Sequence, residues 1–209
     1  MVYVFGKAIT DETLRAKPEY QGKAITLNDR AREALIMKNS EDRDVMVRQQ
    51  VEKLMEKVGV RVFTVCLIYN ATGDTLTLVT YRDWSGHIGF TPYPPKIENG
   101  QFGVFLHVGD VDTSDASSVG AVVYRGKKMA GEDCDWMQAW TNKKSNQAYS
   151  EIREVDHWKI GDDGIWDVVY NKMSKSSVMN IEKWEGVSSV VVIGNDRCSI
   201  FEAILQHPN

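Results

Sequence analysis

The hydrophobic period of this chain changes at Gly59, and that change constrains the fold more than any single motif. Before Gly59 the apolar residues recur at helical spacing. Thr26 is placed to cap a helix, with Asp29 three residues on, and Leu27, Ala31, Ala34 and Leu35 form one apolar face. Asn39-Ser40 stops that helix. A second helix is expected from Asp42 to Val58, where Val47, Val51, Leu54 and Val58 make a single stripe and Gly59 a C-terminal cap. Arg30, Arg32, Glu33, Arg48, Glu52, Lys53 and Glu56 fill the opposite faces. After Gly59 the period is two. Val60–Tyr69 is apolar on both faces, as a central strand would be, and a turn at Asn70–Gly73 leads into a strand over Thr75–Tyr81. Phe102–Val108 alternates, as do Val119–Val123 and Trp136–Trp140. Further strands are expected at Ala148–Val155, Gly164–Asn171, Val178–Trp184, Val187–Ile193 and Cys198–Leu205. Turn residues every ~8–12 positions point to a sandwich or barrel. The expected fold is mainly β (α+β): an N-terminal helical arm, residues 1–59, and an antiparallel β-sandwich, residues 60–209.

Composition excludes several function classes. The net charge of −4, with no run of five like charges, gives no footprint for nucleic acid. No stretch approaches the ~18 apolar residues of a membrane-spanning helix. The first residues lack the basic and apolar blocks of a secretory leader, so a cytoplasmic location is expected. Cys66, Cys134 and Cys198 are too few, and odd in number, for a disulfide framework. Asn70-Ala71-Thr72 is a glycosylation sequon that a cytosolic protein would not use.

No catalytic or metal constellation can be read. His87, His107, His157 and His207 are scattered, and no Cys-x-x-Cys occurs. The acidic run Asp110–Ser114 fails as a calcium loop, because Asp115 and Ala121 stand where Gly and Glu are needed. Cys66, among Val65, Leu67 and Ile68, reads as a core residue. No cofactor is expected, and the chain does not read as an enzyme. What remains is the segment Tyr81–Pro95. Trp84, Phe90 and Tyr93 lie there among glycines and prolines, within an irregular stretch from Asp83 to Gln101. Trp and Tyr rings have an apolar body and a polar handle, which suits a lipid interface or a sugar face. The alternative is that these rings fold back and cap one end of the sandwich.

Several segments carry a resemblance. Tyr69–Asp74, Tyr81–Trp84, Thr91–Pro94, Ile97–Gln101 and Val119–Arg125 are followed in order by Cys134–Trp136, Tyr149–Glu154 and Trp166-Asp167. Together they resemble the plant 23-kDa jasmonate-induced proteins, which implies a stress or defence setting without naming an activity. More distantly, residues 70–205 resemble the actinoporins and the fungal fruit-body lectins that share their sandwich. The likeness lies in the turn Asn70–Asp74, Pro94–Gly100, Val119–Val122, Tyr149-Ser150, Tyr170-Asn171 and the strand Cys198–Leu205. That resemblance implies an actinoporin-like sandwich and a choline-headgroup site. Thr141 would stand for the family's Ser, and Tyr149 and Tyr170 for two of its Tyr. The family's Pro position falls at Lys143 and another Tyr position at Val169, so the implied site is incomplete.

The expected function is therefore a non-enzymatic binding module for a membrane lipid headgroup or a carbohydrate. Trp84, His87 and Tyr93 would form one contact surface, and Thr141, Tyr149, Trp166 and Tyr170 another. Two other readings stay open. One is a protein-interaction or storage-type stress protein whose helical arm packs on the sandwich or forms a homo-oligomer through Val47, Val51, Leu54 and Val58. The other is a membrane-permeabilising defence toxin.

Overall fold

The computed structural model describes residues 3–40, 43–59, 62–110, 115–159 and 161–207. In chain order the elements are β1 (Tyr3–Phe5), α1 (Asp11–Arg15), α2 (Leu27–Met37), α3 (Arg43–Met55), β2 (Phe63–Ala71), β3 (Leu76–Ser85), β4 (His87–Ile88) and β5 (Lys96–Ile97). Then follow β6 (Phe102–Val108), β7 (Ser118–Lys127), β8 (Asp133–Asn142), β9 (Gln147–Arg153), α4 (Asp163–Met173), β10 (Met179–Trp184), β11 (Val187–Ile193) and β12 (Cys198–Gln206). A 7-stranded sheet runs β1-β6-β2-β12-β11-β10, with β4 also on β6, and faces a 5-stranded sheet ordered β5-β3-β7-β8-β9. The expected sandwich is thus present. One pair departs from antiparallel geometry, since β12 runs parallel to β2, with Cys198 opposite Phe63.

Alternation along the strands sorts the side chains into three cores. Between the sheets lie Cys66, Ile68, Phe105, Tyr124, Trp136, Trp140 and Phe201. The outer face of the larger sheet, through Val65, Leu67, Tyr69 and Val104, packs on the N-terminal helices. The outer face of the smaller sheet, through Val119, Ala121, Met137 and Ala139, packs on α4. Burying Val, Leu or Phe side chains of this kind contributes roughly 1.5–3 kcal/mol each.

The N-terminal segment lies on this body as a further layer. The capping box expected at α2 is formed. Asp29 N donates to Thr26 Oγ1 at 3.2 Å, and Thr26 N donates to Asp29 Oδ2 at 2.9 Å. The Tyr69 hydroxyl donates to the Ala34 carbonyl oxygen at 2.6 Å and anchors α2 on the sheet. Glu33 lies on the inner side, paired with Lys17. Val47, Val51 and Leu54 are at most 3% exposed, because they bury against the same sheet. Of the two readings of this stripe, packing on the sandwich is the one the fold shows for these three residues. α3 ends at Met55, and Gly59 does not take the left-handed conformation expected of a cap. Asp42 and Val60, the expected starts of a helix and a strand, lie outside the described residues, as do residues 111–114 of the acidic run.

Two turns depend on glycine. A Cβ on Gly73 (φ +80°) would sit 2.2 Å from the Leu27 carbonyl oxygen, and one on Gly86 (φ +87°) 2.2 Å from that of Val108. Gly86 hands the chain from β3 in one sheet to β4 in the other. The Asn70 sequon is sealed. Its side chain is fully buried and donates to the Ile97 and Asp74 carbonyl oxygens at 2.7 and 2.8 Å.

The largest correction concerns residues 164–171, expected as a strand. They form the body of helix α4. Asp162 caps it by accepting from Ile165 N at 3.3 Å, and Trp166, Val169 and Met173 recur at helical spacing on its buried face.

Candidate functional site

Trp84 is not in an irregular loop. It stands near the end of β3, where Asp83 pairs with Gly120 and Ser85 with Val119, leaving Trp84 as the extra residue of a β-bulge. A bulge bends the strand and re-aims its side chain. The indole lies half-buried on the outer face of the smaller sheet. Its ring centroid is 5.9 Å from Trp166 in an edge-on contact and 5.5 Å from Tyr170. Both partners come from α4, so residues from the two surfaces inferred from sequence meet in one cluster. Trp84 Nε1 is buried without a hydrogen-bond partner among the described residues.

Ion pairs hold α4 over the sheet from both sides. Arg82 reaches Asp163 at 3.0 Å, and Lys172 reaches Glu151 at 2.5 Å. Glu151 also accepts from the Tyr149 hydroxyl at 2.5 Å and faces Arg153 at 3.2 Å. Burial opposes its ionisation, but the bonds from Lys172 and Tyr149 and the charge of Arg153 hold the carboxyl below its usual range. The Tyr149 phenol is pushed upward, first by burial and then by its bond to Glu151.

At the end of this cluster lies the β8–β9 loop. Lys143 Nζ donates to the Tyr170 hydroxyl oxygen at 3.2 Å and sits 5.3 Å from that ring's centroid. A cleft of about 330 Å³ adjoins it, lined by Lys143, Lys144, Ser117, Asp115 and Arg197. The sequence had marked Lys143 only as a departure from the actinoporin pattern. Its pairing with Tyr170 depends on α4, which was misread. A larger cleft, about 530 Å³, lies at the far end of the sandwich. There Arg30 pairs with Asp11 at 2.7 Å and Asn99 donates to the carbonyl oxygens of Ile9 and Arg30 at 3.0 Å each. Those groups stitch the N-terminal segment down.

The remaining expected site residues divide. Trp166 is 2% exposed and backs Trp84 from below. Thr141 is fully buried and pins the β8–β9 turn, with Oγ1 accepting from Gln147 N at 3.1 Å and donating to the Ser145 carbonyl oxygen at 3.2 Å. Tyr93 turns inward, as the capping alternative has it. Its hydroxyl donates to Asp83 Oδ1 at 3.1 Å, and its ring packs between Tyr81 (4.8 Å) and Phe105 (4.7 Å). His87 is exposed, but on β4 of the other sheet, with Nδ1 2.6 Å from Asp110 Oδ1. That bond from His87 lowers the Asp110 carboxyl. His87 and Tyr93 therefore do not share a surface with Trp84. Tyr81, expected as the last residue of a strand and not as a site residue, has a half-exposed ring that stacks on Tyr93.

A family model for Nakanori-like proteins matches residues 5–208. The chain is 41% identical over 209 residues to a 23 kDa jasmonate-induced protein of Hordeum vulgare, covering 98% of each. It is 31% identical over 139 residues to a jasmonate-induced protein homolog of Atriplex canescens, covering 60% of this chain and 72% of that one. Among solved structures it is similar to the lipid binding protein Nakanori, with a TM-score of 0.87 and 25% identity, covering 98% of this chain and 100% of that one.

Proposed function

The chain belongs to the Nakanori-like family, and on that premise we propose that it is a non-catalytic plant stress protein that binds a membrane lipid headgroup at the Trp84–Tyr170 end of its sandwich. One observation carries the reading. A β-bulge and a helix bring Trp84 and Tyr170 to 5.5 Å, both half-buried, with Tyr170 against Lys143 at the mouth of the open cleft. Indole and phenol rings so placed fit the boundary between headgroups and acyl chains. The similar solved structure is that of a lipid binding protein, and the jasmonate-induced relatives supply the stress setting. In this reading Trp84, Tyr149 and Tyr170 meet the ligand, while Trp166 and Thr141 hold them in position.

The thiols support a non-catalytic role. Burial pushes Cys66 well up, and chiefly burial raises Cys134 to about 12, so neither supplies a thiolate near neutrality. Three free cysteines and a sealed sequon suit a cytosolic location, which belongs to the same proposal. The test is cosedimentation with lipid vesicles. Wild type is expected to pellet, and Trp84→Ala and Tyr170→Ala to stay in solution. No retention on any vesicle refutes the reading.

A second reading has its own observation. Tyr81 and Phe90 are 51% and 54% exposed, and Tyr81 is braced from behind by Tyr93. A fixed, half-open ring suits stacking on a sugar face. Retention on a glycan array that Tyr81→Ala abolishes would favour carbohydrate over lipid.

A further inference from the structure

The cation already present at this site constrains which headgroup it takes. An aromatic face attracts a cation through its quadrupole. On Tyr170 that role is filled by Lys143, with Nζ 5.3 Å from the centroid and 3.2 Å from the hydroxyl oxygen. A quaternary ammonium approaching the same ring meets a like charge in place. An oxyanion meets an ammonium with donors to spare, since only one hydrogen is engaged by Tyr170.

The cleft beside Lys143 has the matching character. Among the described residues its lining holds Lys143 and Lys144, with Arg197 and the Asp115 carboxylate beside them. The two neighbouring lysines give the β8–β9 loop a local positive charge in a chain of net charge −4. The arrangement is braced rather than incidental. Asn146, 7% exposed, accepts from Lys143 N at 3.1 Å. Its Nδ2 reaches the carbonyl oxygens of Gly194 and Asp196 at 2.8 and 3.0 Å and Ser199 Oγ at 3.0 Å. One buried side chain thus ties the β8–β9 loop to the β11–β12 loop and sets Lys143 and Lys144 beside Arg197. The cleft meets the rings through Lys143, which lines it and sits on the Tyr170 ring.

We propose that the headgroup recognised here is phosphate-bearing and carries net negative charge, with the phosphate held by Lys143 and Lys144 beside the Trp84 and Tyr170 rings. This rests on the lipid-binding reading above and narrows its ligand. Lysines at a membrane surface act on anionic phosphates, while the indole and phenol sit at the interface.

The experiment is cosedimentation of the full chain with three kinds of vesicle. These are phosphatidylcholine alone, phosphatidylcholine doped with phosphatidic acid, and phosphatidylcholine doped with phosphatidylserine. Retention is expected to be strongest on the phosphatidic acid vesicles and to weaken as salt rises. Lys143→Gln and Lys144→Gln are each expected to reduce it about fivefold. Lys143→Gln also frees the Tyr170 face, so its retention on phosphatidylcholine alone is expected to hold or rise. Equal retention of wild type on all three vesicles, unchanged in both variants, overturns the inference and leaves the lipid reading standing. Retention on no vesicle overturns the lipid reading itself. Glycerol phosphate is added as a soluble competitor. If it is bound in solution while vesicles are not, the phosphate chemistry stands and the lipid source is overturned. Unchanged melting temperatures of the two variants confirm that folding is not the cause.

Discussion

Trp84 and Trp166 touch each other, yet truncating Trp166 should act mainly on stability and truncating Trp84 mainly on binding. Trp166 is 2% exposed, so Trp166→Ala leaves a cavity under α4 and should cost about 3–5 kcal/mol, the range for a buried tryptophan. Trp84 is only half-buried, so less apolar area and fewer packing contacts are lost. Its two ring contacts, at 5.9 and 5.5 Å, contribute about 0.5–1.5 kcal/mol each beyond area burial. Trp84→Ala should therefore cost about 2–3 kcal/mol. For a chain of this length each kcal/mol lowers the melting temperature by roughly 2–4 °C. Urea titration followed by far-ultraviolet circular dichroism gives the stability ranking, and vesicle cosedimentation well below both transitions gives the binding ranking. Trp166→Phe, which keeps an apolar ring in the cavity, should retain binding. Trp84→Phe, which keeps a ring but loses the indole N–H, should bind less well. A Trp84→Ala variant as unstable as Trp166→Ala, or a Trp166→Phe variant that loses vesicles while Trp84→Ala keeps them, would refute the assignment of Trp84 as contact and Trp166 as support.

Three further outcomes follow from the geometry. Glu151→Gln should destabilise by about 1–3 kcal/mol, because it weakens the bonds from Tyr149, Lys172 and Arg153 to a nearly buried acceptor. The folded carboxyl is depressed, so its contribution is present above the ordinary Glu value of 4.5 and lost as pH falls through the folded value. Urea midpoints should thus converge for wild type and variant in acid, and a gap that widens instead would contradict this. Gly86→Ala should cost at least about 2 kcal/mol, since the left-handed conformation and a Cβ 2.2 Å from the Val108 carbonyl oxygen act together. A melting temperature within a degree or so of wild type would show that the turn relaxes freely. Val51→Asp buries a charge against the larger sheet and should destabilise the fold without changing the particle mass by light scattering. A wild-type dimer that becomes a stable monomer on this change would restore the dimer seam.

The sequence carried the layers of the fold because each layer obeys one period. Val65, Leu67 and Tyr69 alternate with Cys66 and Ile68, and both sets are buried, one under the helices and one between the sheets. The capping pair Thr26 and Asp29 was legible because it is local. What was not legible came from competition between periods. In Ile165-Trp166-Asp167-Val168-Val169-Tyr170, apolar residues satisfy a strand and a helix equally, and the deciding signal was the Asp162 cap just before them. Prolines in 92–95 made the preceding stretch look irregular, although β3 continues through Trp84 to Ser85.

That one misreading divided the candidate site in two. A strand over 164–171 would have pointed Trp166 and Tyr170 to the same side as neighbours two pleats apart, with no reason to meet Trp84. A helix separates them by four positions, which places both along one flank, over the bulge that lifts Trp84 out of register. Lys143 gains its meaning from the same geometry. On the sequence it is a lysine where a resembling family has proline. In the fold its ammonium sits on the Tyr170 ring and at the mouth of a cleft with two further cations. In the proposed reading the lysine that leaves a choline site incomplete serves an anionic headgroup instead, and the headgroup assay with Lys143→Gln decides between a lost function and a changed one.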